Sequence, residues 1–253
     1  MKDIKYKSLA LIILILIALV IRITAAHNAG MIAKDGIKYL EMAEHFSHGE
    51  FHKGIAEDFH PLYPLLIAPI YPLFSEPERA GQFVSVVLGS LTLIPVYFLG
   101  LKIFNFPTAV IASLLFACQP YLVRTSAEVL SEATYIFFYV LAIALGWQAL
   151  ISKKYRYYFL ASVAGSLAYL TRPEGLGTLF ILVLWVMVAG ARHFRRDYRQ
   201  RLVAVTSIAL AFFLLAFPYL LHLKLETGSW MLTKKKSLKT LIGLTQAPEI
   251  ETK

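Results

Sequence analysis

The chain contains eight apolar stretches that are separated only by short polar segments. They run over residues 9–26, 61–74, 80–101, 107–123, 129–151, 157–170, 176–191 and 202–221. A helix needs about 20 apolar residues to span the hydrocarbon of a bilayer, and most of these stretches approach that length. The stretches also lack the two-residue alternation of a barrel strand, and only helices and closed barrels can span a membrane. The sequence therefore predicts an all-α integral membrane protein.

Composition and charge support this class and exclude others. Hydrophobic residues make up 58% of the chain, charged residues make up 16%, and the mean hydropathy is +0.62. That balance is too apolar for one water-soluble core. The net charge of +9 comes largely from short basic loops, which is typical of anchoring beside an anionic leaflet and not of nucleic-acid binding. The single cysteine, Cys118, excludes an intramolecular disulfide.

The positions of lysine and arginine predict the topology, since short cytoplasmic loops carry an excess of these residues. The basic segments are residues 2–7, 153–156 and 192–201. All three lie on the cytoplasmic side if about seven transmembrane helices cross the bilayer and residues 61–74 only dip in from the outer face. Four prolines interrupt that segment, which supports a partly embedded loop helix at this point.

The acidic residues test this topology independently. All of them except Asp3 and Asp197 fall on the outer side. We therefore expect any chemistry to occur at the external face of the plasma (inner) membrane. We expect residues 1–227 to form one polytopic transmembrane module, whose external loop 27–79 holds the active site, and residues 228–253 to form a short hydrophilic external segment.

The first apolar stretch has two interpretations. Basic residues, an apolar run and small residues follow one another from residue 2 to residue 26, which also fits a cleavable signal peptide. Arg22 precedes the small residues and the apolar run is long. Both features favour a retained anchor.

Asp35 is the candidate catalytic residue, because it is a carboxylate placed just outside the first membrane segment. A carboxylate in that position is suited to act as a general base at the membrane surface. The alternative is structural, since Asp is also a favoured N-cap residue. The helix that it would cap is amphipathic, and its apolar face consists of Tyr39, Met42, Ala43 and Phe46.

Arg79, Arg124 and Arg172 are candidates for binding a phosphate, because a guanidinium presents planar donors that match phosphate oxygens. The alternative is snorkelling to the interface, which is common for arginine at the ends of spans. Arg172 differs from the other two, because it lies in a turn between two apolar stretches where an unpaired charge would be costly. Glu174 or a phosphate is its expected partner.

Glu128 and Glu132 are candidates at the outer end of another span. Their spacing of four residues places them on one helical face, and Glu132 is favoured for substrate binding because it lies deeper. The alternative is a helix start capped by Ser126, whose first turn carries acidic residues that complement the helix dipole.

Five histidines lie in the first external loop, at positions 27, 45, 48, 52 and 60. His45, His48 and His52 would share a face if one helix carried all three, which makes a divalent metal site conceivable. We do not favour it, because Gly49 is expected to end the helix. We therefore predict no cofactor, and we interpret His60 as a wall of the site fixed by Pro61.

These residues together resemble a known class of enzyme. The features in question are Asp35 in the first external loop, His60-Pro61, Arg79, the run from Ser126 to Glu132, and Leu170-Thr171-Arg172-Pro173-Glu174-Gly175. Their order and common membrane face resemble the polyprenyl-phosphate sugar transferases of the GT-C superfold. The nearest relatives implied are the protein O-mannosyltransferases and the lipid A aminoarabinose transferases.

The resemblance implies a membrane glycosyltransferase that is inverting and uses a polyprenyl-phosphate sugar donor. It implies a lipid, glycan or protein acceptor, and it implies that Asp35 removes the proton of that acceptor. Two departures are Gly36 in place of a second acidic residue and Leu62 in place of a second proline. Members of this class are usually longer, so the chain is expected to be a truncated form or a short member.

The competing class is a membrane protein without this activity, namely a transporter, a non-catalytic subunit or an inactive fragment of such a transferase. A transporter is expected to carry charges at mid-membrane and a repeat between its halves. The charges here cluster at one face instead. Convergence of Asp35, Glu132 and Arg172 in one cavity that opens to both lipid and the outer aqueous phase would favour the enzyme, and their location on separate surfaces would count against it.

Overall fold

The structure is a computed structural model that describes residues 2–30, 32–55, 58–193 and 198–234. All regular structure in these ranges is helical, which confirms the predicted all-α fold. The helices are α1 (Lys2–His27), α2 (Lys34–Ser47), α3 (Phe51–Ile55), α4 (Leu62–Ile67), α5 (Pro77–Leu91), α6 (Leu93–Ile103), α7 (Phe106–Cys118), α8 (Pro120–Ala127), α9 (Glu132–Ser152), α10 (Tyr155–Thr171), α11 (Leu176–His193) and α12 (Tyr198–Thr227). Short 3₁₀ turns occupy Tyr71–Leu73 and Pro173–Gly175.

Four helical segments in the described residues are long and apolar enough to cross a membrane. They lie in α1, in α5 together with α6, in α9 and in α12. The pair α7 and α8 would make a fifth crossing if the bent pair is one span. Helix α10 has 17 residues and α11 is also apolar. The protein is therefore a helical membrane protein, and the count of about seven crossings stays a prediction.

The proline-rich segment does not form a spanning helix. Helix α4 has only six residues and is followed by the three-residue 3₁₀ turn. At 1.5 Å per residue, α4 is about 9 Å long, which is too short to cross. The proposed domain boundary at residue 227 coincides with the end of α12, but most of the proposed external segment 228–253 lies outside the described residues.

Proline also breaks the predicted span over residues 107–123. Helix α7 ends at Cys118, Gln119 is extended (φ −66°, ψ 118°), and α8 begins at Pro120. A residue before proline is pushed out of the helical region by the proline ring. The two helices consequently meet at an angle of 54°.

The middle of the bundle is built on small residues. Ala161, Ala164, Gly165 and Ala168 are buried along α10, which packs against α9, α11 and α12. A Cβ added at Gly165 would lie 2.8 Å from a methyl carbon of Leu179 on α11. Small residues let helix backbones approach closely in membranes, where the packing gained by close contact favours helix association.

Arg22 connects α1 to the break between α7 and α8. Its side chain is fully buried, and its Nη1 donates to the backbone carbonyls of Ala18 and Ala117 at 3.4 and 3.3 Å. Its Nε donates to Ser126 Oγ at 3.3 Å. The carbonyl of Ala117 belongs to the last turn of α7, where intrahelical partners are lacking. A guanidinium at this end also complements the helix dipole. Arg22 thus makes α1 an integral part of the packed fold.

We expect Arg22→Ala to lower the free energy of unfolding by about 3 kcal/mol, because several hydrogen bonds from a buried charged donor are lost. The measurement is thermal unfolding of the purified protein in one detergent. Ile23→Ala is the matched control, since Ile23 is the next residue and its side chain is 56% exposed on the bundle surface. Equal stability of the Arg22 variant and the wild type would contradict this role.

Candidate active site

Helix α2 places Asp35 at the surface beside the bundle. Asp35 is the second residue of α2 and is exposed, while Ala33 occupies the N-cap position and makes no side-chain cap hydrogen bond. The alternative of Asp35 as the N-cap is therefore wrong. The amphipathic character of α2 is confirmed, because the predicted apolar face of Tyr39, Met42, Ala43 and Phe46 is buried.

Gly36 allows α2 to lie directly on the segment that precedes α9. A Cβ added at Gly36 would lie 2.9 Å from the backbone oxygen of Val129 and 3.0 Å from Cγ1 of Ile32. One turn further along α2, the Tyr39 hydroxyl lies 2.9 Å from Ser131 Oγ. The helix that carries Asp35 is thereby bound to the start of the helix that carries Glu132.

Arg172, at the end of α10, contacts the start of α9. It follows the last residue of α10, and its Nη1 lies 2.6 Å from Glu132 Oε1 and 3.4 Å from Ser131 Oγ. Its Nε lies 3.4 Å from Glu174 Oε2. The side chain of Arg172 is 22% exposed, so it is mostly removed from water yet accessible. The expected pairing with Glu174 is thus present, and Glu132 adds a closer partner.

The second carboxylate oxygen of Glu132 is buried, and no described residue gives it a hydrogen bond. A buried carboxylate oxygen without a donor is costly, and a catalytic or binding role is one reason why a protein retains such an atom. In contrast, Glu174 is about half exposed. Glu132 is therefore the carboxylate of this pair that is better placed to receive a hydroxyl group of a bound substrate.

Two buried tyrosines, Tyr39 and Tyr63, pack against each other next to the charged groups. The rings of Tyr39 and Tyr63 meet edge to face at 5.0 Å, and Tyr63 Oη lies 2.8 Å from Ser85 Oγ. Burial raises the pKa of Tyr39 to about 12, and the charges of Glu132 and Asp35 add to this rise. The hydrogen bond with Ser131 and the charge of Arg172 act in the opposite direction. Tyr39 therefore keeps its proton at neutral pH, and Asp35, Glu132 and Arg172 all lie within electrostatic reach of its hydroxyl.

His60 packs against two bundle helices. It is only 3% exposed and lies between the rings of Tyr169 and Tyr219, with centroid distances of 5.1 and 5.0 Å. These tyrosines belong to α10 and α12. His60 therefore joins the loop before α4 to α10 and α12, and its predicted role as a site wall stays a prediction.

Arg79 and Arg124 lie in separate local ion pairs. Arg79 Nε is 3.2 Å from Glu76 Oε2, and Arg124 Nε is 2.8 Å from Glu128 Oε1. Their side chains are 43% and 76% exposed. A phosphate-binding role for these two arginines stays a prediction.

The predicted common face of Glu128 and Glu132 is wrong. Glu128 follows the end of α8, whereas Glu132 is the first residue of α9, so the two do not share a helix. Ser126 does not cap α9 either, because it lies inside α8 and its hydroxyl donates to the Leu122 carbonyl at 2.6 Å.

The three-histidine arrangement is not formed. Helix α2 ends at Ser47 and Gly49 has a φ of +76°, so His48 and His52 lie beyond it. His45 Nδ1 instead lies 2.8 Å from Glu50 Oε2. Within the part of the chain that the structure describes, no group of three or more His, Cys, Asp or Glu residues could hold a metal ion.

Sequence reasoning missed the polar residues that join the cluster. Ser131 and Tyr39 bind each other across 92 residues of sequence, and no local pattern encodes such a pairing. A partial signal existed, because Ser131 directly precedes the acidic residue Glu132 at a helix start. In the sequence, Gly36 stood out only because the resembled class has a second acidic residue at that position, and its packing role could not be read from that.

The charged cluster belongs to a helical membrane fold. An all-helical membrane protein gathers the charged residues Glu132, Arg172 and Glu174 at one end of its bundle, with the Asp35 helix bound beside them. This arrangement fits a membrane glycosyltransferase of the GT-C type.

The comparison with known families identifies the family. The sequence pattern of the dolichyl-phosphate-mannose-protein mannosyltransferase family matches residues 58–222, which is more than half of the chain. The chain belongs to this family. The matched region includes Glu132, Arg172 and Glu174 and begins after Asp35. No curated protein matches the chain.

We expect Gly36→Ala to destabilise the protein, because the added methyl group would push α2 away from the Val129 carbonyl. The free energy of unfolding should fall by about 1–3 kcal/mol, measured by thermal unfolding in detergent. Gly177→Ala is the matched control, since Gly177 is also helical and a Cβ there has no atom within 4 Å. That control should be neutral or slightly stabilising. Equal behaviour of both variants would show that α2 does not depend on this close approach.

Proposed function

We propose that the protein transfers a sugar from a polyprenyl-phosphate-linked donor to an acceptor at the external face of the plasma membrane. Membership of the family implies a lipid-linked sugar donor and an acceptor. The donor lipid is of the undecaprenyl or dolichyl phosphate class. The acceptor is a lipid, a glycan or a protein.

One observation carries this proposal, namely that Tyr39 and Ser131 join the helix of Asp35 to the Glu132–Arg172 ion pair. A transferase of this kind needs a base for the acceptor and a cation for the leaving phosphate in one site. Asp35 is exposed, and Arg172 is held at the edge of the bundle by two carboxylates. The two required groups therefore lie on elements that are linked through Ser131 and Tyr39.

The proposed reaction is a single displacement. Asp35 accepts the proton of the acceptor hydroxyl as the hydroxyl oxygen forms a bond to the anomeric carbon of the sugar. The bond between that carbon and the phosphate oxygen breaks, and its electron pair leaves with the phosphate. Arg172 stabilises the negative charge on the departing phosphate by charge-assisted hydrogen bonds. Attack from the side opposite the phosphate inverts the anomeric configuration.

The direction of α9 supports an external site. The helix begins at Glu132 in the cluster and ends at Ser152, directly before Lys153 and Lys154. With 21 residues at 1.5 Å per residue, it separates the two ends by about 30 Å, the thickness of a hydrocarbon core. Positive residues favour the cytoplasmic side, so the cluster at the opposite end faces outward.

We expect Asp35→Asn to reduce sugar transfer by about 10²–10⁴-fold, because the variant keeps the side-chain shape and loses the base. The measurement is transfer by the purified protein from a panel of polyprenyl-phosphate sugars, with thermal stability recorded on the same samples. Glu41→Gln is the matched control, since Glu41 is an exposed carboxylate on the same helix, and it should retain wild-type transfer.

Each other outcome has a defined meaning. Equal transfer by Asp35→Asn and the wild type would remove Asp35 as the base. Loss of transfer in both Asp35→Asn and Glu41→Gln would indicate a general effect of charge on α2. No transfer by the wild type from any donor would favour a non-catalytic subunit or an inactive fragment.

A further inference from the structure

Ser131 occupies a position where serine normally caps a helix, but its hydroxyl is used elsewhere. It is the N-cap residue of α9, yet its side chain makes no cap hydrogen bond. Its Oγ contacts the Tyr39 hydroxyl at 2.9 Å and Arg172 Nη1 at 3.4 Å, and the residue is fully buried. A serine cap contributes about 1 kcal/mol to helix stability. Ser131 does not make this contribution to α9, because its hydroxyl contacts α2 through Tyr39 and the end of α10 through Arg172.

We propose that Ser131 is a positioning residue that orients the Arg172 guanidinium for the donor phosphate and couples it to the helix of Asp35. This inference rests on the proposed function of the same site. Arginine has only donors, so Ser131 Oγ accepts from Nη1. The serine hydroxyl keeps one proton and one lone pair, and either can serve the Tyr39 hydroxyl.

The contacts of Arg172 explain why such a residue is needed. Glu132 and Glu174 attract the guanidinium from two sides, at Nη1 and at Nε. Ser131 adds a neutral contact at Nη1, with its Oγ 3.4 Å away, and this third contact further restricts how the guanidinium plane can turn. No described residue accepts a hydrogen bond from Nη2. That nitrogen is left for an oxygen of the donor phosphate.

A neighbouring pair provides an internal comparison. Ser85 is also fully buried and also pairs with a buried tyrosine, with its Oγ 2.8 Å from the Tyr63 hydroxyl. Its hydroxyl donates to the Leu130 carbonyl and makes no contact with Arg172. Both serines are buried and contact a buried tyrosine, but of the two only Ser131 also contacts Arg172.

The experiment measures the binding of undecaprenyl phosphate and dolichyl phosphate to the purified full chain, and the KM and kcat for transfer. We expect Ser131→Ala to weaken binding and to raise the donor KM about 10-fold, because one hydrogen bond to a charged group is lost. The kcat should change less than the KM. Ser131→Thr should restore binding, since it returns the hydroxyl. Ser85→Ala should stay within about twofold of the wild type.

Several results would overturn the inference. They are wild-type affinity in Ser131→Ala, an equal loss in Ser85→Ala, and failure of Ser131→Thr to restore binding. The absence of lipid-phosphate binding by the wild type would also overturn it, because Arg172 would then have no phosphate to receive. If the wild type binds the lipid phosphate and shows the expected pattern but transfers no sugar, the proposed function fails and the positioning role of Ser131 stands.

Discussion

The contact between Arg172 Nη1 and Glu132 Oε1, at 2.6 Å, joins the ends of α9 and α10 on one side of the bundle. A guanidinium that is mostly removed from water is costly unless a carboxylate lies close by, and Glu132 supplies that partner. Ser131 contacts the arginine of this pair and also the Tyr39 hydroxyl of α2. Tyr39 binds Ser131 and Gly36 packs on Val129, so α2, whose apolar face is buried, also lies against the segment that carries Glu132.

Features that depend on local chemistry could be predicted from the sequence. The apolar period of α2 indicated which side chains are buried, and the cost of an unpaired charge indicated that Arg172 needs Glu174. The four prolines in residues 61–74 predicted that no spanning helix forms there, and α4 has only six residues. The break before Pro120 could have been predicted on the same ground, because the residue before proline avoids the helical region. The pairing of Glu128 with Glu132 on one face is wrong for a different reason, because α8 ends at Ala127 and α9 begins only at Glu132.

Contacts between distant residues could not be predicted. Tyr39 and Ser131 are 92 residues apart, and Arg172 and Ser131 are 41 apart. Such contacts depend on how helices pack, and packing in membranes is governed by small residues whose partners are not encoded locally. The family match covers the segment that contains Glu132 and Arg172, whereas Asp35 precedes the matched residues. The role of Asp35 as the base therefore rests on its position beside the cluster, on the chemistry of a carboxylate and on the resemblance of the sequence to the GT-C transferases.

The burial of Arg22 affects how the chain can assemble. A membrane protein is synthesised from its N-terminus, so α1 enters the bilayer before α7 and α8 exist. During that interval the guanidinium lacks Ala117 and Ser126 as partners. Arg22 lies five residues before the end of α1, close enough for its long side chain to reach interfacial water by snorkelling. Docking of α7 and α8 supplies both partners, so the burial of this charge depends on helices that are made after the first span.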